Sequence, residues 1–267
     1  MHVMDLFRLD GKVAIVTGGG SGIGKAISEG LVEAGANVVI ASRKFEILEK
    51  TAEELSSLGN RVLPVRCDLE KMEDISNLVE KTLEEFNDIH ILVNNSGMTW
   101  GMPSLEYSEE KWDQIMRVNL KAAFFLSQKI ANYWVKNNVK GKILNIGSAA
   151  GMGGIPEEFM PVPAYSTSKA GLITLTKDLA VKWAKYGINV NAILPGFFRT
   201  RLTEFTFKKG LEKFVYSAIP LGREGKSDEI KAAAILLVSK ASDYITGAIL
   251  PVDGGMLAMI MNISFIQ

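Results

Sequence analysis

Short runs of β-branched and aliphatic residues alternate along the chain with longer segments of helical periodicity. The predicted strands are Val13 to Thr17, Val38 to Ile40, Val62 to Val65, Ile89 to Val93, Ile143 to Ile146, Ile188 to Leu194 and Ala248 to Val252. These runs are mainly apolar rather than alternating, which is typical of strands that are covered on both faces. The alternation therefore predicts βαβ units and an α/β fold, a doubly wound parallel sheet of about seven strands with helices on both faces.

The helical segments complete this pattern and leave one interruption. They are Ile23 to Ala34, Phe45 to Leu58, Met72 to Phe86, Glu109 to Asn137 (read as two helices), Tyr165 to Tyr186 and Ser227 to Ser239. No linker, low-complexity tract or repeat divides the 267 residues, so we expect a single domain over 1–267. Only Phe197 to Gly225 interrupts the alternation of predicted strands and helices. Because long insertions at the carboxyl edge of such a sheet usually contact substrate, we expect a lid near 197–225.

The charge balance excludes several classes of partner. Thirty basic residues match thirty acidic ones, so the chain lacks the positive field that nucleic acids and anionic membrane surfaces attract. Cys67 is the only cysteine and His2 and His90 are the only histidines, too few for the usual zinc shells, so we expect no metal.

The two ends of the sequence carry no targeting signal. Met1 to Asp10 has charged residues where a signal peptide is apolar. Gly254 to Gln267 is too short to cross a bilayer as a helix. We therefore expect a cytoplasmic protein with no membrane partner.

A glycine-rich loop follows the first predicted strand. Gly18, Ser21, Gly22, Ile23 and Gly24 lie between that strand and the first helix, with the glycines in a G-x-x-x-G-x-G pattern. Glycines let the backbone approach a pyrophosphate, and the helix N-terminus directs its N–H groups at the negative charge. A tight strand-to-helix turn is the simpler alternative, but the position after the first strand favours a dinucleotide site.

The end of the second strand indicates which dinucleotide. A carboxylate usually binds the ribose hydroxyls of NAD here, whereas this strand ends in Ser42, Arg43 and Lys44. A guanidinium can bind phosphate through paired hydrogen bonds, so NADP is favoured over NAD. The alternative is that these cations only solvate a helix start. After the third strand, Asp68, followed by Leu69, is a candidate to accept from the adenine amino group or to cap the next helix.

Tyr165 and Lys169 are four residues apart in a predicted helix and therefore share one face. A tyrosine with a pKa near 10 exchanges protons poorly at neutral pH, but a cation beside it favours the phenolate. We therefore expect Lys169 to lower the pKa of Tyr165, which then gives a proton to a carbonyl or takes one from an alcohol.

Two further polar residues are candidates for the same site. Ser148 follows the fifth strand, at the edge where the carboxyl ends of the strands meet, and its hydroxyl can hold a substrate oxygen. Asn119 is a polar residue in apolar surroundings at a predicted helix junction. On sequence alone Asn119 serves catalysis or only caps or kinks the helix.

With these motifs in order, the chain resembles the short-chain dehydrogenase/reductase family over Gly11 to Gly255. The matching segments are the loop Thr17 to Gly24, Asn94-Asn95-Ser96-Gly97, the four residues Asn119, Ser148, Tyr165 and Lys169, the segment Pro195-Gly196 with Thr200, and Asp253-Gly254-Gly255. Ser96 stands where the family usually has alanine. The segment between Ser148 and Tyr165 is longer than is common, and it includes Pro156 to Pro163.

The resemblance implies a Rossmann-type fold and a role for each matched residue. Tyr165 would be the general acid/base, and Lys169 would assist it while binding the nicotinamide ribose. Ser148 would orient the carbonyl oxygen, and Asn119 would hold a water in a proton relay. The loop residues, Asn95 and the segment Pro195, Gly196 and Thr200 would contact the nucleotide. Family members are commonly homotetramers, which would give the apolar tail Met256–Gln267 an interface to cover.

The substrate remains open between two small-molecule classes. Arg66-Cys67-Asp68-Leu69 and Ile219-Pro220-Leu221-Gly222-Arg223 resemble segments of gluconate 5-dehydrogenases and of 3-oxoacyl-carrier-protein reductases. The expected lid carries aromatic and basic side chains, which suit an amphipathic anion or merely fasten and solvate the lid. These residues, with two aromatic residues from neighbouring loops, are Trp100, Phe159, Phe197, Phe198, Phe205, Arg199, Arg201, Lys208 and Lys209.

Two other function classes fit the sequence less well. A protein that binds the dinucleotide as a sensor would not need Tyr165 and Lys169 on one face. Serine hydrolysis through Ser148 fails because Gly147 to Gly151 is not a G-x-S-x-G elbow and few histidines are present to act as base. The expected activity is therefore an NADP-dependent interconversion of a ketone and a secondary alcohol.

Overall fold

A computed structural model describes residues 2–200, 203–204 and 210–259. The strands are β1 Val13–Thr17, β2 Asn37–Ser42, β3 Val62–Arg66, β4 Ile91–Asn94, β5 Lys142–Ile146, β6 Asn189–Pro195 and β7 Ile249–Val252. The helices are α1 Gly22–Glu33, α2 Phe45–Ser56, α3 Met72–Phe86, α4 Glu109–Met116, α5 Ala122–Asn137, α6 Pro163–Trp183, α7 Glu212–Ser217 and α8 Ser227–Val238.

The seven strands form one parallel sheet in the order β3-β2-β1-β4-β5-β6-β7. The chain moves outward from β1 to β3 and then returns to place β4 on the other side of β1. Open α/β sheets bind ligands in the crevice at this point of reversal, outside the carboxyl ends of the strands. The loops after β1 and β4 therefore border the expected site.

Each face of the sheet is covered by its own apolar core. On one face, strand residues such as Val16 and Ile40 pack with helices α1, α2 and α8. On the other, Ile15 and Val39 pack with α3, α5 and α6. Neighbouring strand residues thus point to opposite covered faces, which explains why the strands are mainly apolar rather than alternating between apolar and polar residues. The predicted α/β fold is confirmed.

The predicted boundaries shift by a few residues where local chemistry decides them. The sixth helix begins at Pro163 rather than Tyr165, because proline is well suited to the first helical turn, where its missing N–H has no partner to lose. The segment Glu109 to Asn137 is two helices, as predicted, joined by a π-helical turn over Arg117–Lys121. Within the described residues, no helix is long and apolar enough to span a membrane.

A chain of buried polar side chains ties the sheet to two helices. Asn94 Nδ2, on β4, donates to Ser127 Oγ of α5 and to Asn145 Oδ1 of β5, both at 2.9 Å. Asn145 Nδ2 in turn donates to Thr176 Oγ1 of α6, also at 2.9 Å. All four residues are at least 95% buried. Because buried polar groups without partners are costly, this chain fixes α6 in one position against the strands.

Candidate active site

The glycine loop adopts a conformation that side chains would prevent. Gly18 and Gly22 have φ values of 67° and 53°, in the left-handed region. A Cβ at Gly24 would lie 2.2 Å from the Gly18 carbonyl oxygen, so α1 can begin against the loop only with glycine there. Ser21 is the N-cap of α1, and among the described residues its side chain makes no capping bond. The first N–H groups of α1 are left for an external acceptor.

The loop is held from behind by Asn95 and Thr17. Asn95 Nδ2 donates to the carbonyl oxygens of Thr17 and Gly18, at 2.8 and 3.3 Å. Thr17 Oγ1 accepts from the backbone N–H groups of Asn95 and Ser96, both at 3.0 Å. The Asn95 side chain therefore shapes the loop, and its contact with the nucleotide stays a prediction. The serine at 96 leaves this turn intact.

Two cationic residues, Arg43 and Lys44, follow β2 at the same edge of the sheet as the glycine loop. Arg43 is 60% exposed, and Lys44 is the N-cap of α2. Ser42 ends β2, and its carbonyl accepts from Cys67. Arg43 therefore keeps a solvent-facing guanidinium at the position where a dinucleotide's second ribose is expected.

Asp68 does not cap α3, and that alternative is wrong. The N-cap of α3 is Lys71. Asp68 Oδ1 accepts from the backbone N–H of Glu70 at 3.2 Å, and Asp74 Oδ2 accepts from the backbone N–H of Asp68 at 2.8 Å. These bonds fix the turn after β3. Leu69 next to it packs, half-buried, against the second core.

Tyr165 lies in the first turns of α6, where Ser148 faces it from the loop after β5. Ser148 Oγ accepts from the backbone N–H of Ala150 at 3.2 Å, which fixes the start of that loop. A Cβ at Gly151 would lie 2.8 Å from the carbonyl carbon of Lys169, so glycine lets the loop approach α6. The structure therefore brings the two hydroxyl-bearing residues together, as predicted.

The surroundings of the Tyr165 phenol act on its pKa in opposite directions. Burial raises the pKa of Tyr165, and the hydrogen bond with the Ser148 side chain lowers it by less. Lys169 Nζ lies 5.8 Å from the centroid of the Tyr165 ring. The net direction for the protein without ligand is upward, because desolvation of the phenol is the larger effect, and the lowering by Lys169 stays a prediction.

Lys169 itself has a strongly lowered pKa. It is 4% exposed, and burial lowers its pKa to about 8. Its Nζ donates to the Ile146 carbonyl oxygen at the end of β5, at 2.7 Å. An ammonium has three N–H donors, and among the described residues only this one acceptor is within hydrogen-bond distance. A buried cation with donors to spare indicates a ligand site.

Asn119 lies in the π-helical turn between α4 and α5 and is 1% exposed. Its Oδ1 accepts from the Met98 backbone N–H at 2.9 Å. Its Nδ2 donates to the Met98 carbonyl and to Ser168 Oγ, both at 3.0 Å. Both amide protons are thus used within the protein. The alternative in which Asn119 serves the helix junction is supported at least in part, since it ties that junction to the loop after β4.

Ser168 is a residue to which the sequence reasoning gave no role. It is fully buried, and its Oγ donates to the Tyr165 carbonyl oxygen at 2.7 Å while accepting from Asn119. It lies three residues after Tyr165 on the same helical face, which is the signal that could have identified it. Ser168 joins the two turns that carry Tyr165 and Asn119.

Pro195 and Gly196 end β6 next to the terminal Asp253 motif. Gly196 donates its N–H to the Val252 carbonyl, and a Cβ on it would lie 2.6 Å from Asp253 Cα. Thr200 then turns back toward the glycine loop, where a Cβ on Gly22 would lie 3.3 Å from its Cγ2. The two segments predicted to contact the nucleotide therefore border the same crevice.

The segment expected to form a lid is anchored by aromatic residues. Phe197 and Phe198 are at least 92% buried, so they fasten the segment to the core, as the simpler alternative proposed. Phe159, from the long segment before α6, lies 5.1 Å from Phe214 of α7 between ring centroids. Trp100 is 43% exposed, with Lys111 Nζ above its ring.

The basic residues expected in the lid are only partly within the described chain. Arg199 Nε lies 3.3 Å from Glu224 Oε2. The remaining lid residues of the sequence prediction lie outside the described residues, namely Arg201, Phe205, Lys208 and Lys209, as does the tail from residue 260 onward.

A cavity of about 550 Å³ opens between the glycine loop, the segment after β6 and the start of α8. Gly22, Ile23, Phe198, Arg199 and Thr200 are among its lining residues. It thus joins the N-terminus of α1 to the segment that follows β6. Ser148, Tyr165 and Lys169 do not line it, so this cavity offers room beside the glycine loop rather than at the two hydroxyl-bearing residues.

The residues present fit a nicotinamide dinucleotide. Gly97 has no side chain, and a Cβ there would lie 3.5 Å from Lys169 Nζ and 3.6 Å from Asn119 Oδ1. The glycine therefore leaves the approach to the buried ammonium open, which suits a ribose with two hydroxyl acceptors. The α1 N-terminus suits the pyrophosphate at the other end of the crevice.

Comparison with known proteins agrees with this arrangement. Residues 18–257 match the model of a family described as enoyl-(acyl carrier protein) reductase. The chain is 38% identical over 260 residues to 2-dehydro-3-deoxy-D-gluconate 5-dehydrogenase of Dickeya dadantii, covering 96% of this chain and 99% of the relative. It is 37% identical over 250 residues to the 3-oxoacyl-acyl-carrier-protein reductase FabG of Thermotoga maritima, covering 94% and 99%.

A solved structure matches over a similar share of the chain. The gluconate 5-dehydrogenase of Burkholderia cenocepacia, in complex with NADP and tartrate, superposes with a TM-score of 0.90 at 33% identity, covering 97% of this chain and all of that one. The likeness therefore extends over the sheet, the loops at its carboxyl edge and the segment before β7.

Proposed function

Because the chain belongs to the short-chain dehydrogenase/reductase family and is an oxidoreductase that acts on CH–OH groups, we propose that it interconverts a ketone and a secondary alcohol with NADP(H). One observation carries the proposal. The hydroxyl-bearing residues Tyr165 and Ser148 meet at the carboxyl edge of the sheet, one helical turn from the buried Lys169. The relatives from Dickeya dadantii and Thermotoga maritima are named as a dehydrogenase and a reductase, which agrees with this reaction.

The dinucleotide, when bound, supplies or accepts the hydride at the reacting carbon. In the reductive direction, the Tyr165 hydroxyl gives its proton to the substrate oxygen, which becomes the alcohol; in the oxidative direction, the phenolate takes that proton back. Ser148 donates a hydrogen bond that orients the substrate oxygen. Since burial raises the pKa of Tyr165, the protein without ligand holds the phenol protonated, in the form that reduction needs.

Lys169 would hold the nucleotide ribose and carry a positive charge near the phenol. With a pKa of about 8, it is largely protonated at neutral pH, and its Nζ is fixed by the Ile146 carbonyl. Asn119 would serve the proton relay, as the resemblance implies. Its two amide protons are donated to Met98 and Ser168. A water held by the Asn119 side chain must therefore donate to its Oδ1 atom.

The other nucleotide contacts are assigned by position along the crevice. The pyrophosphate would lie at Gly18, Ser21, Gly22, Ile23 and Gly24. Asp68 and Leu69 would border the adenine, and Pro195, Gly196 and Thr200 the nicotinamide. Asn95 would act by holding the loop.

We propose NADP rather than NAD because of Ser42, Arg43 and Lys44. The relative from Burkholderia cenocepacia contains NADP in its structure, and this chain has no carboxylate at the end of β2 to bind an unphosphorylated ribose. Arg43→Ala should weaken NADP binding about tenfold or more and leave NAD binding nearly unchanged. Equal NADP affinity in the variant would exclude Arg43 as the phosphate partner.

The substrate is proposed to be a keto sugar acid or a 3-oxoacyl thioester. Relatives with both activities in their names match nearly the whole chain. Assays with NADPH and each substrate class, monitored at the nicotinamide absorbance, separate the two. If neither class nor a wider panel of ketones turns over while NADPH binds, the chain is a dinucleotide-sensing protein instead.

The central test of the chemistry is Tyr165→Phe. The variant lacks only the phenolic hydroxyl, so turnover should fall at least about a thousandfold, within the range that loss of a general acid and its hydrogen bond can produce. NADPH binding should remain within about twofold, and Tyr186→Phe, on the same chain but in a surface turn, is the matched control. Equal turnover in Tyr165→Phe would remove Tyr165 as the acid/base.

The same proposal includes the organisation of the protein. We propose one domain over 1–267 with its lid near 197–225, acting in the cytoplasm as a homo-oligomer, with a tetramer as the family-based expectation. Apolar side chains left in solvent support an oligomer, among them Val181 on α6, which is 82% exposed. Light scattering coupled to size-exclusion chromatography measures the subunit number.

A further inference from the structure

Beyond the Arg43 site, one carboxylate near it is shared by two arginines from different parts of the chain. Glu70, in the turn between β3 and α3, is 23% exposed on its side chain. Its Oε1 lies 3.9 Å from Arg43 Nη1, and its Oε2 lies 3.8 Å from Arg117 Nε. Gln114 Nε2 of α4 also donates to Oε1, at 3.1 Å.

From this arrangement we propose that Arg117 determines the preference for NADP by neutralising Glu70. The inference rests on the proposed function, in which the 2′-phosphate binds at Arg43. It assigns a specificity-determining role to Arg117, at the start of the π-helical turn, and to Glu70.

The physical reason is that Glu70 opposes the 2′-phosphate in two ways. It is an anion within salt-bridge distance of the guanidinium that the phosphate must engage, so it competes for Arg43. Its charge also repels the phosphate, and at a partly exposed site such repulsion acts over several ångströms before salt screens it. An unphosphorylated ribose feels neither effect.

Arg117 and Gln114 remove both obstacles. When Arg43 turns to the phosphate, Glu70 keeps the Arg117 charge and the Gln114 hydrogen bond. This turn of Arg43 breaks only a weak contact, since the 3.9 Å between Arg43 and Glu70 is at the limit of an ion pair. In the described residues, the other charged groups around this cluster include two anions, Asp113, 3.9 Å from Arg117 Nη1, and Asp68, whose Oδ1 accepts from the Glu70 backbone. They also include the cation Lys111, whose Nζ donates to Gln114 Oε1 at 3.4 Å. The two anions increase the need for Arg117.

The experiment measures dissociation constants for NADP and NAD by calorimetry in wild type, Arg117→Gln, Glu70→Gln and the double variant. Arg61→Gln is the matched control, because Arg61 pairs with Glu85 at the opposite end of β3 and loses the same charge. Glu70→Gln keeps an oxygen for Gln114, so the cluster's hydrogen bond survives. NAD affinity in every variant reports whether the binding site is intact.

We expect Arg117→Gln to weaken NADP binding about three- to tenfold and NAD binding by less than about twofold, since one unit of charge at several ångströms in a partly exposed site has an effect of this size. Glu70→Gln should tighten NADP binding. The double variant should return to within about twofold of wild type, and 0.5 M NaCl should reduce all these differences.

Three results would overturn the inference. NADP affinity unchanged in Arg117→Gln would remove Arg117 from specificity. A double variant as weak as Arg117→Gln would mean that Arg117 acts directly and not through Glu70. Weaker NADP binding in Glu70→Gln would mean that the carboxylate helps by holding Arg43. Failure of the Arg43→Ala test, by contrast, would overturn the proposed cofactor, so the two failures can be told apart.

Discussion

Asn119 Nδ2 donates to Ser168 Oγ across 3.0 Å, and through this bond the π-helical turn between α4 and α5 is joined to α6. Because Ser168 also donates to the Tyr165 carbonyl at 2.7 Å, one buried hydroxyl fixes the relative positions of two residues proposed to act on the substrate. The same turn of α6 carries Lys169. The positions of Asn119 and Tyr165 are therefore fixed by their shared hydrogen-bond partner Ser168 as well as by the sheet.

Ser168→Ala should lower kcat about tenfold with little change in NADPH affinity. The variant leaves an amide proton of Asn119 unpaired in a buried site, at a cost of about 1–3 kcal/mol in the free energy of unfolding. The measurement is steady-state kinetics together with urea unfolding. Ser168→Thr, which keeps a hydroxyl, should recover most of the kcat. If Ser168→Ala loses stability while kcat is unchanged, the hydroxyl has only a structural role.

The fold could be predicted because its signals are local. Each strand is a short apolar run, and each helix has its own periodicity, so the order of elements follows from reading along the chain. Tyr165 and Lys169 were identified in the same way, since one helical turn fixes their proximity. Gly18, Gly22 and Gly24 could be found because Gly18 and Gly22 have positive φ and Gly24 has no room for a Cβ, so glycine is required at each.

What depended on burial or on distant pairings could not be predicted. The direction of the Tyr165 pKa is set by burial of the phenol, which outweighs the hydrogen bond with the Ser148 side chain. Asn95 matched a motif, but only the three-dimensional structure shows its amide holding the carbonyls of Thr17 and Gly18. Glu70 and Arg117 meet across the sheet edge without any local pattern that links them.

Gly24→Ala tests the shape of the loop. Its Cβ would lie 2.2 Å from the Gly18 carbonyl oxygen, so either the loop or the start of α1 must move. We expect NADP affinity to fall about a hundredfold or more, since a displaced loop no longer presents the N–H groups of α1 to the pyrophosphate. Fluorescence titration with NADPH measures the loss.

Gly153→Ala is the matched control for Gly24→Ala. Gly153 lies in the segment before α6, and a Cβ on it would have no atom within 4 Å. It should bind NADPH as wild type does. Equal affinity in both variants would show that the loop tolerates a side chain and that the glycine pattern is only a tight turn.

His90 should make stability depend on pH. Its Nδ1 accepts from the Val13 backbone N–H at 3.2 Å, which only the neutral ring can do. Burial and, next, the charge of Lys12 lower the pKa of His90, while Asp88 raises it by less. A lowered pKa in the folded state means that the stabilisation is complete above about pH 6.5 and is lost as the pH falls through the folded-state value.

The measurement for His90 is urea unfolding between pH 5 and 8. In His90→Asn, the amide oxygen can accept from Val13 without titrating, so its free energy of unfolding should fall less steeply with acid than that of the wild type. Parallel pH profiles for the two proteins would show that His90 does not contribute to the acid sensitivity.

Lys169→Met should raise the stability of the protein without ligand at neutral pH. Burial lowers the pKa of Lys169 to about 8, whereas an unfolded lysine has a pKa near 10.4. The folded state therefore holds the charge at a cost on the order of 3 kcal/mol, which is offset in part by the bond to the Ile146 carbonyl. Between pH 8 and about 10 the unfolded chain binds more protons than the folded one, so the wild type gains stability relative to Lys169→Met as the pH rises. Thermal unfolding of both proteins from pH 7 to 10 measures how the difference between their stabilities narrows. A difference in stability that stays constant over that range would show that burial does not lower the pKa of Lys169.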